Sequence, residues 1–323
     1  MTFDLHSSAS PSSDDSATRP KVVVLTTGGT ISCTHDAQNM LIPTVSGDEL
    51  VAAIRPRFEQ MDIEVRELNR LDSSSMTFAD IDEIVTACHD ALDDPSVLGV
   101  VVTHGTDSME ESAIAVDTFH GDSRPVVFTG SQKPFDHPEA DGPGNLFEAI
   151  MIAADSSARD IGVLIVFGHA VLPVRGATKW HTTDELAFAT NAPEEPTRAD
   201  FVAPVPLADV RVDIIHAYPG APSTLVDAAL AAGAQGLVVE AMGSGNVGTA
   251  MAVALGKALD QGIPVVITTR VPRGDVSGTY GGAGGGATLQ SKGAVGSSYF
   301  RAPQARVLLA IAIATGISPF TLF

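Results

Sequence analysis

An α/β fold built on a mostly parallel sheet is what this sequence predicts, and three observations carry it. Short β-branched runs recur from Lys21 onward, helical stretches fill the intervals, and the runs are apolar at consecutive rather than alternating positions. Strand and helix in alternation mean βαβ units. A strand apolar on both sides is one covered by helices on both faces. The expected architecture is a larger N-terminal, mostly parallel-sheet, three-layer domain followed by a smaller C-terminal α/β domain, within what 323 residues can fill.

Taken in order, residues 1–20 are serine-rich and acidic and lack the basic start and apolar stretch of a secretory signal, so a disordered tail is expected there. The first domain, 21–190, opens with a strand at 22–25 and continues with strands at 63–65, 97–102, 126–128 and 163–167. Thr77 with Asp80 three residues later makes a capping-box start for a helix through Ile81, Ile84 and Val85. Residues 108–119 and 145–154 read as further helices. The proline- and charge-rich stretch 191–209 breaks the pattern as a linker does. The second domain, 210–323, repeats the alternation, with strands at 212–215, 237–239 and 265–267, helices at 223–232 and up to Leu259, and a closing helix at 305–314.

The charge, 19 basic against 39 acidic residues for a net −20, argues against a polyanionic partner: no nucleic acid and no anionic membrane. The longest apolar run, 307–314, is far short of the ~20 residues that cross a bilayer. Cys33 and Cys88 can form neither a disulfide framework nor a four-thiolate zinc site, and read as small apolar packing residues. The nine histidines show no metal-ligand spacing. A cytoplasmic protein without a metal is expected.

Three constellations could carry chemistry. The first strand runs into Thr27-Gly28-Gly29-Thr30-Ile31, and in open parallel sheets ligands bind at the carboxyl ends of strands. There the glycines allow close backbone approach, and the Thr30 hydroxyl could attack a carbonyl; a plain strand-ending turn is the alternative. The third strand ends in Thr103-His104-Gly105-Thr106-Asp107-Ser108-Met109-Glu110-Glu111, where Thr106 could relay a proton and Asp107 bind an ammonium. Alternatively Asp107 or Ser108 caps the next helix, and Glu110 and Glu111 complement its dipole. After the fifth strand comes Ala177-Thr178-Lys179-Trp180-His181-Thr182. Lys179 is either an exposed loop lysine or a base made available by desolvation. Trp180 is expected to pack over it, and His104 to be a buried, hydrogen-bonded scaffold residue.

Together these segments, in this order, resemble the bacterial-type L-asparaginases, and the likeness extends through 141–146, 243–246 and 303–309. The resemblance implies hydrolysis of L-asparagine to L-aspartate and ammonia through a threonine acyl-enzyme, without metal or organic cofactor. It implies that Thr30 is the nucleophile and that Thr106, Lys179 and Asp107 are the proton-transfer set. Asp107 would also bind the substrate ammonium, and Ser73 its α-carboxylate. Asn246 would reach a neighbouring subunit's site, in a homodimer or homotetramer with sites between subunits. The amides of Gly29 and Thr106 are candidate oxyanion donors.

Two departures stand out. The stretch 38–43 holds no tyrosine where many members of that family have one, and no glutamate is evident at 273–282 where many secreted members supply one to a neighbour. Tyr280, in a glycine-rich loop, is a candidate for the missing phenol; an aromatic anchor for that loop is the alternative. Gly243-Ser244-Gly245-Asn246-Val247-Gly248 matches a dinucleotide fingerprint, but too little regular chain follows it for such a half-site. A glutaminase-asparaginase of mixed specificity and a non-catalytic amino-acid sensor on the same fold are the other functional readings.

Overall fold

The computed structural model describes residues 19–193 and 200–323. The expected tail lies outside them except for its last two residues. In the first domain the elements run β1 (Lys21–Gly28), β2 (Cys33–His35), β3 (Leu41–Pro43), α1 (Gly47–Ala52), β4 (Asp62–Leu71), α2 (Phe78–Leu92) and β5 (Val97–Thr103). They continue with α3 (Met109–Phe119), β6 (Val126–Thr129), α4 (Gly142–Ala154), β7 (Val163–Phe167), β8 (Ala170–Pro173), β9 (Ala177–Lys179) and β10 (Phe188–Thr190).

Six of these strands form one sheet in the order β4-β1-β5-β6-β7-β8, parallel except for β8. Alternate residues of β1 serve opposite faces, as strand geometry requires. Val23 and Leu25 pack with α2 and α3, whereas Val22 and Val24 pack with α1 and α4, giving the three expected layers. The capping box forms as expected: the Asp80 carboxylate accepts from the Thr77 N–H at 2.7 Å and from its hydroxyl at 2.6 Å.

The differences from expectation are edges and hairpins. β4 is much longer than its apolar signal at 63–65, because an edge strand can carry charge along its outer half. Glu64 pairs there with Lys21 at 2.5 Å and with Arg66 at 2.7 Å, and Glu67 with Arg70 at 2.8 Å. The antiparallel pairs β2-β3 and β9-β10 are three residues per strand, too short to show an alternation in sequence.

In the second domain β11 (Val212–His216), α5 (Thr224–Ala231), β12 (Gly236–Ala241), α6 (Thr249–Asp260), β13 (Val265–Thr269), α7 (Gly286–Ser291), β14 (Val295–Gly296) and α8 (Ala302–Thr315) follow. The four strands form a parallel sheet in chain order. Helices α5 and α6 cover one face through Val226, Met251 and Leu255. Helix α8 covers the other face, and its buried residues belong to the same apolar cluster as those of α2 and α3. One helix thus lies between the sheet of its own domain and the helices of the other. The stretch after Asn191 is mostly exposed where it is described but is pinned to the first domain: Val202 N–H donates to the Thr118 carbonyl at 3.0 Å, Leu207 N–H to the Asp82 carboxylate at 2.8 Å, and the Leu207 side chain is buried.

Candidate active site

The loops after β1, β4 and β5 converge because their glycines let backbone meet backbone. Gly28 and Gly29 both have positive φ, 95° and 79°. A Cβ on Gly29 would stand 2.5 Å from the Cα of Gly105, and one on Gly105 would stand 2.5 Å from the Ser73 hydroxyl. β1 and β5 are sheet neighbours, so the two glycine-bearing ends face one small pocket of about 180 Å³. Gly29, Thr30, Ser73, Gly105, Thr106 and Asp107 line it.

Thr30 begins the short 3-10 turn Thr30–Ser32 and is partly exposed to the pocket. Thr106 is buried, and its hydroxyl accepts from Lys179 Nζ at 2.7 Å. The same ammonium donates to Asp107 Oδ1, also at 2.7 Å. Ser73 is buried at the start of a 3-10 turn, with its Oγ accepting the Asp107 N–H at 3.2 Å and its carbonyl accepting the Ser108 hydroxyl at 2.7 Å. Thr30, Thr106, Asp107, Lys179 and Ser73 are therefore brought together.

Gly29 lines the pocket, and its N–H donates to the Leu71 carbonyl at 3.2 Å. Among the described residues the Thr106 N–H has no such acceptor. Asn246 and Tyr280 do not line their own chain's pocket. The Asn246 side chain accepts from Gly286 N–H at 3.3 Å, and Tyr280 is 62% exposed, held through its carbonyl by Ala287 N–H at 3.1 Å. Trp180 is half exposed, and the Arg273 guanidinium sits 5.1 Å from its ring centroid.

His104 is the buried scaffold residue expected. Its Nδ1 bonds the Gly105 carbonyl at 2.8 Å and its Nε2 the Ser112 hydroxyl at 2.8 Å, and burial lowers its pKa to about 4, so it is neutral. The two glutamates stand in the first turn of α3, as the helix-dipole reading has them, and each has a further partner. Glu111 pairs with Arg306 of α8 at 2.9 Å, and burial raises its pKa. Glu110 is buried beneath β9, accepting the Lys179 N–H at 2.6 Å and the Thr178 hydroxyl at 3.1 Å. Desolvation pushes its carboxyl up to about 7 against those two bonds. Every residue of α3 except Glu111 is buried, so no face of that helix solvates Glu110. Gln304, also overlooked, reaches from α8 to the turn before β9. Its Oε1 accepts the Gly176 N–H at 2.9 Å and its Nε2 donates to the Val174 carbonyl at 2.7 Å.

No group of histidines, cysteines and carboxylates suited to a metal occurs among the described residues. The arrangement offers a hydroxyl facing a pocket, a second hydroxyl bonded to a lysine, and a carboxylate fixing that lysine: nucleophile, proton acceptor and orienter.

Known proteins resemble both halves of the chain. The family described as "Asparaginase, N-terminal" matches residues 21–203, and "Glutaminase/Asparaginase C-terminal domain" matches residues 211–322. An L-asparaginase of Bacillus licheniformis is 30% identical over 91% of this chain and 96% of its own. A glutaminase-asparaginase of Pseudomonas aeruginosa is 29% identical over 78% of this chain and 76% of its own. The crystal structure of a probable cytoplasmic L-asparaginase from Campylobacter jejuni superposes with a TM-score of 0.81 at 25% identity, covering 94% of this chain and 98% of that one. With both halves matched in order along nearly the whole described chain, this protein belongs to the asparaginase family.

Proposed function

We propose that this protein hydrolyses L-asparagine to L-aspartate and ammonia through an acyl-enzyme on Thr30. The observation that carries the reading is Lys179 Nζ, bonded at 2.7 Å to the Thr106 hydroxyl and at 2.7 Å to Asp107, beside the pocket that Thr30 lines. Thr30 Oγ attacks the side-chain amide carbon; as the C–N bond breaks, the Lys179 ammonium gives a proton to the departing ammonia and is reprotonated by the Thr106 hydroxyl, which takes the Thr30 proton in turn. Water then attacks the ester with the same groups returning the proton to Thr30. The Thr106 N–H supports the oxyanion.

Asp107, whose carboxylate is largely exposed to the pocket mouth, binds the substrate ammonium while Ser73 meets the α-carboxylate. A pocket of about 180 Å³ favours a small amino acid, and the proposed steps call on no metal or organic cofactor. Asn246 and Tyr280 lie off their own pocket, so we assign them to a neighbouring subunit's site in a homodimer or homotetramer, with Tyr280 supplying the phenol that 38–43 lacks. The cytoplasm is the proposed location, supported by the likeness to a probable cytoplasmic L-asparaginase.

Mixed asparaginase and glutaminase activity is the second reading, favoured by the likeness to a glutaminase-asparaginase. One methylene in a pocket discriminates by only ~1–3 kcal/mol. Ammonia release from L-asparagine, L-glutamine and D-asparagine separates these readings. L-asparagine is expected to be the best substrate, and silence toward every ω-amide would leave the non-catalytic sensor.

A further inference from the structure

Glu110 does not line the pocket, yet it is a carboxyl buried directly behind the residue proposed as the base. β9 is three residues long and pairs with β10 along one edge only. On the other edge no strand follows, and Glu110 takes its place: Oε2 accepts the Lys179 N–H at 2.6 Å and Oε1 the Thr178 hydroxyl at 3.1 Å. Glu110 stands in the first turn of α3, a helix that begins just after Thr106 and Asp107. Backbone and ammonium of Lys179 are thus referred to the same turn of chain, the backbone through Glu110 and the ammonium through Thr106 and Asp107.

We propose that Glu110 is a positioning residue for the Lys179–Thr106 pair, setting the height of β9, and that its ionised form holds the strand more firmly than its protonated form. The proposal rests on the amidohydrolase reading above. A charged acceptor makes a hydrogen bond roughly twice as strong as a neutral one, and proton transfer between Lys179 and Thr106 depends on their separation. Glu110 titrates where this difference acts, since burial pushes its carboxyl up to about 7.

The other charges near it are few. Glu111, next on the helix, pairs with Arg306 of α8 and still pushes the Glu110 pKa up. Lys179 of β9 faces Glu110 and draws its pKa down, and Asp107 holds that ammonium from the other side. His104, just after β5 and bonded to α3 at Ser112, is neutral. Asp117, farther along α3, pairs with Arg175 at 3.5 Å. β7 is wholly apolar, and α2 buries only Phe78, Ile81, Ile84, Val85, Cys88, Ala91 and Leu92.

A glutamine could make both bonds, its carbonyl accepting from Lys179 N–H and its amide donating to the Thr178 hydroxyl. Glu110→Gln therefore keeps the connection and removes the titration. The test is kcat and KM for L-asparagine between about pH 5 and 9 in the wild type, Glu110→Gln and Glu110→Asp. The wild-type kcat is expected to rise through an inflection near the Glu110 value with KM flat. In Glu110→Gln the inflection disappears, and the variant runs roughly tenfold slower above about pH 8 while converging on the wild type below about pH 6. Glu110→Asp keeps an inflection, at a displaced pH. An inflection that survives unchanged in Glu110→Gln, or an effect confined to KM, overturns the proposal.

A second readout needs no turnover. The chain has five lysines, so selective 15N-lysine labelling gives few backbone amide signals, and that of Lys179 is expected to titrate near neutrality in the wild type only. A Lys179 amide that does not titrate overturns the positioning role by itself. Absence of ammonia from the wild type would instead overturn the amidohydrolase reading, so the two failures are distinguishable.

Discussion

Gln304→Leu removes a clamp without changing the side-chain volume much, so its effect can be worked from hydrogen bonds alone. Gln304 is 1% exposed, and in the wild type its amide closes both sides of the turn before β9, to Gly176 N–H at 2.9 Å and the Val174 carbonyl at 2.7 Å. After the change the Val174 carbonyl keeps a second donor, Ala177 N–H at 2.9 Å. The Gly176 N–H keeps none and is left buried, at a cost of ~1–3 kcal/mol, with ~0.5–1.5 kcal/mol more for the other lost bond. The sum is roughly 2–4 kcal/mol. Urea unfolding should show a lower midpoint at unchanged slope. Because Lys179 lies three residues beyond Gly176, kcat for L-asparagine should fall with little change in KM. A loss under about 0.5 kcal/mol with normal kcat would refute the idea that α8 holds the turn carrying the base.

Other substitutions read other parts of the account. Gly29→Ala places a Cβ 2.5 Å from Gly105 backbone at a φ of 79°, so it should cost at least ~2 kcal/mol and nearly all activity; a folded, active variant contradicts the convergence of the two loops. Tyr280→Phe should lower kcat about tenfold if the phenol serves a site, and a rate within about twofold of wild type removes it. Stability should depend on pH through two buried groups of opposite sign. His104 has a folded pKa near 4, below its ordinary 6.5, so between those values the unfolded chain binds more protons and acidification destabilises the fold. Glu110 has a folded pKa near 7, above its ordinary 4.5, so its contribution is full below 4.5 and lost as pH rises through 7. Glu110→Gln should accordingly match or exceed the wild type in thermal stability near pH 8, and a large loss there would contradict the sign.

The parallel core was legible because β1, β5, β6 and β7 are buried on both faces, which writes their apolar residues consecutively into the sequence. The pocket residues were legible for a related reason: strand ends carrying Gly29 and Gly105 must point to the same sheet edge. What was not legible was anything decided by a partner distant in sequence. Glu110 read as a dipole complement because its neighbours along the chain allow that, and only the approach of β9 makes it a buried acceptor. Gln304 lies 128 residues from the Gly176 it holds. Trp180 is adjacent to Lys179 in sequence but sits outside the strand, where Arg273 of the other domain stacks on it.

The central claim, a covalent ester on Thr30, is tested most directly by mixing the enzyme with L-asparagine, quenching in acid within the first turnovers and mapping the peptides by mass spectrometry. The account predicts an aspartyl adduct on the peptide holding Thr30, released ammonia in step with it, and neither adduct nor ammonia from a folded Thr30→Ala variant. Ammonia release that survives in Thr30→Ala, or an adduct carried by Thr106 instead, would contradict it.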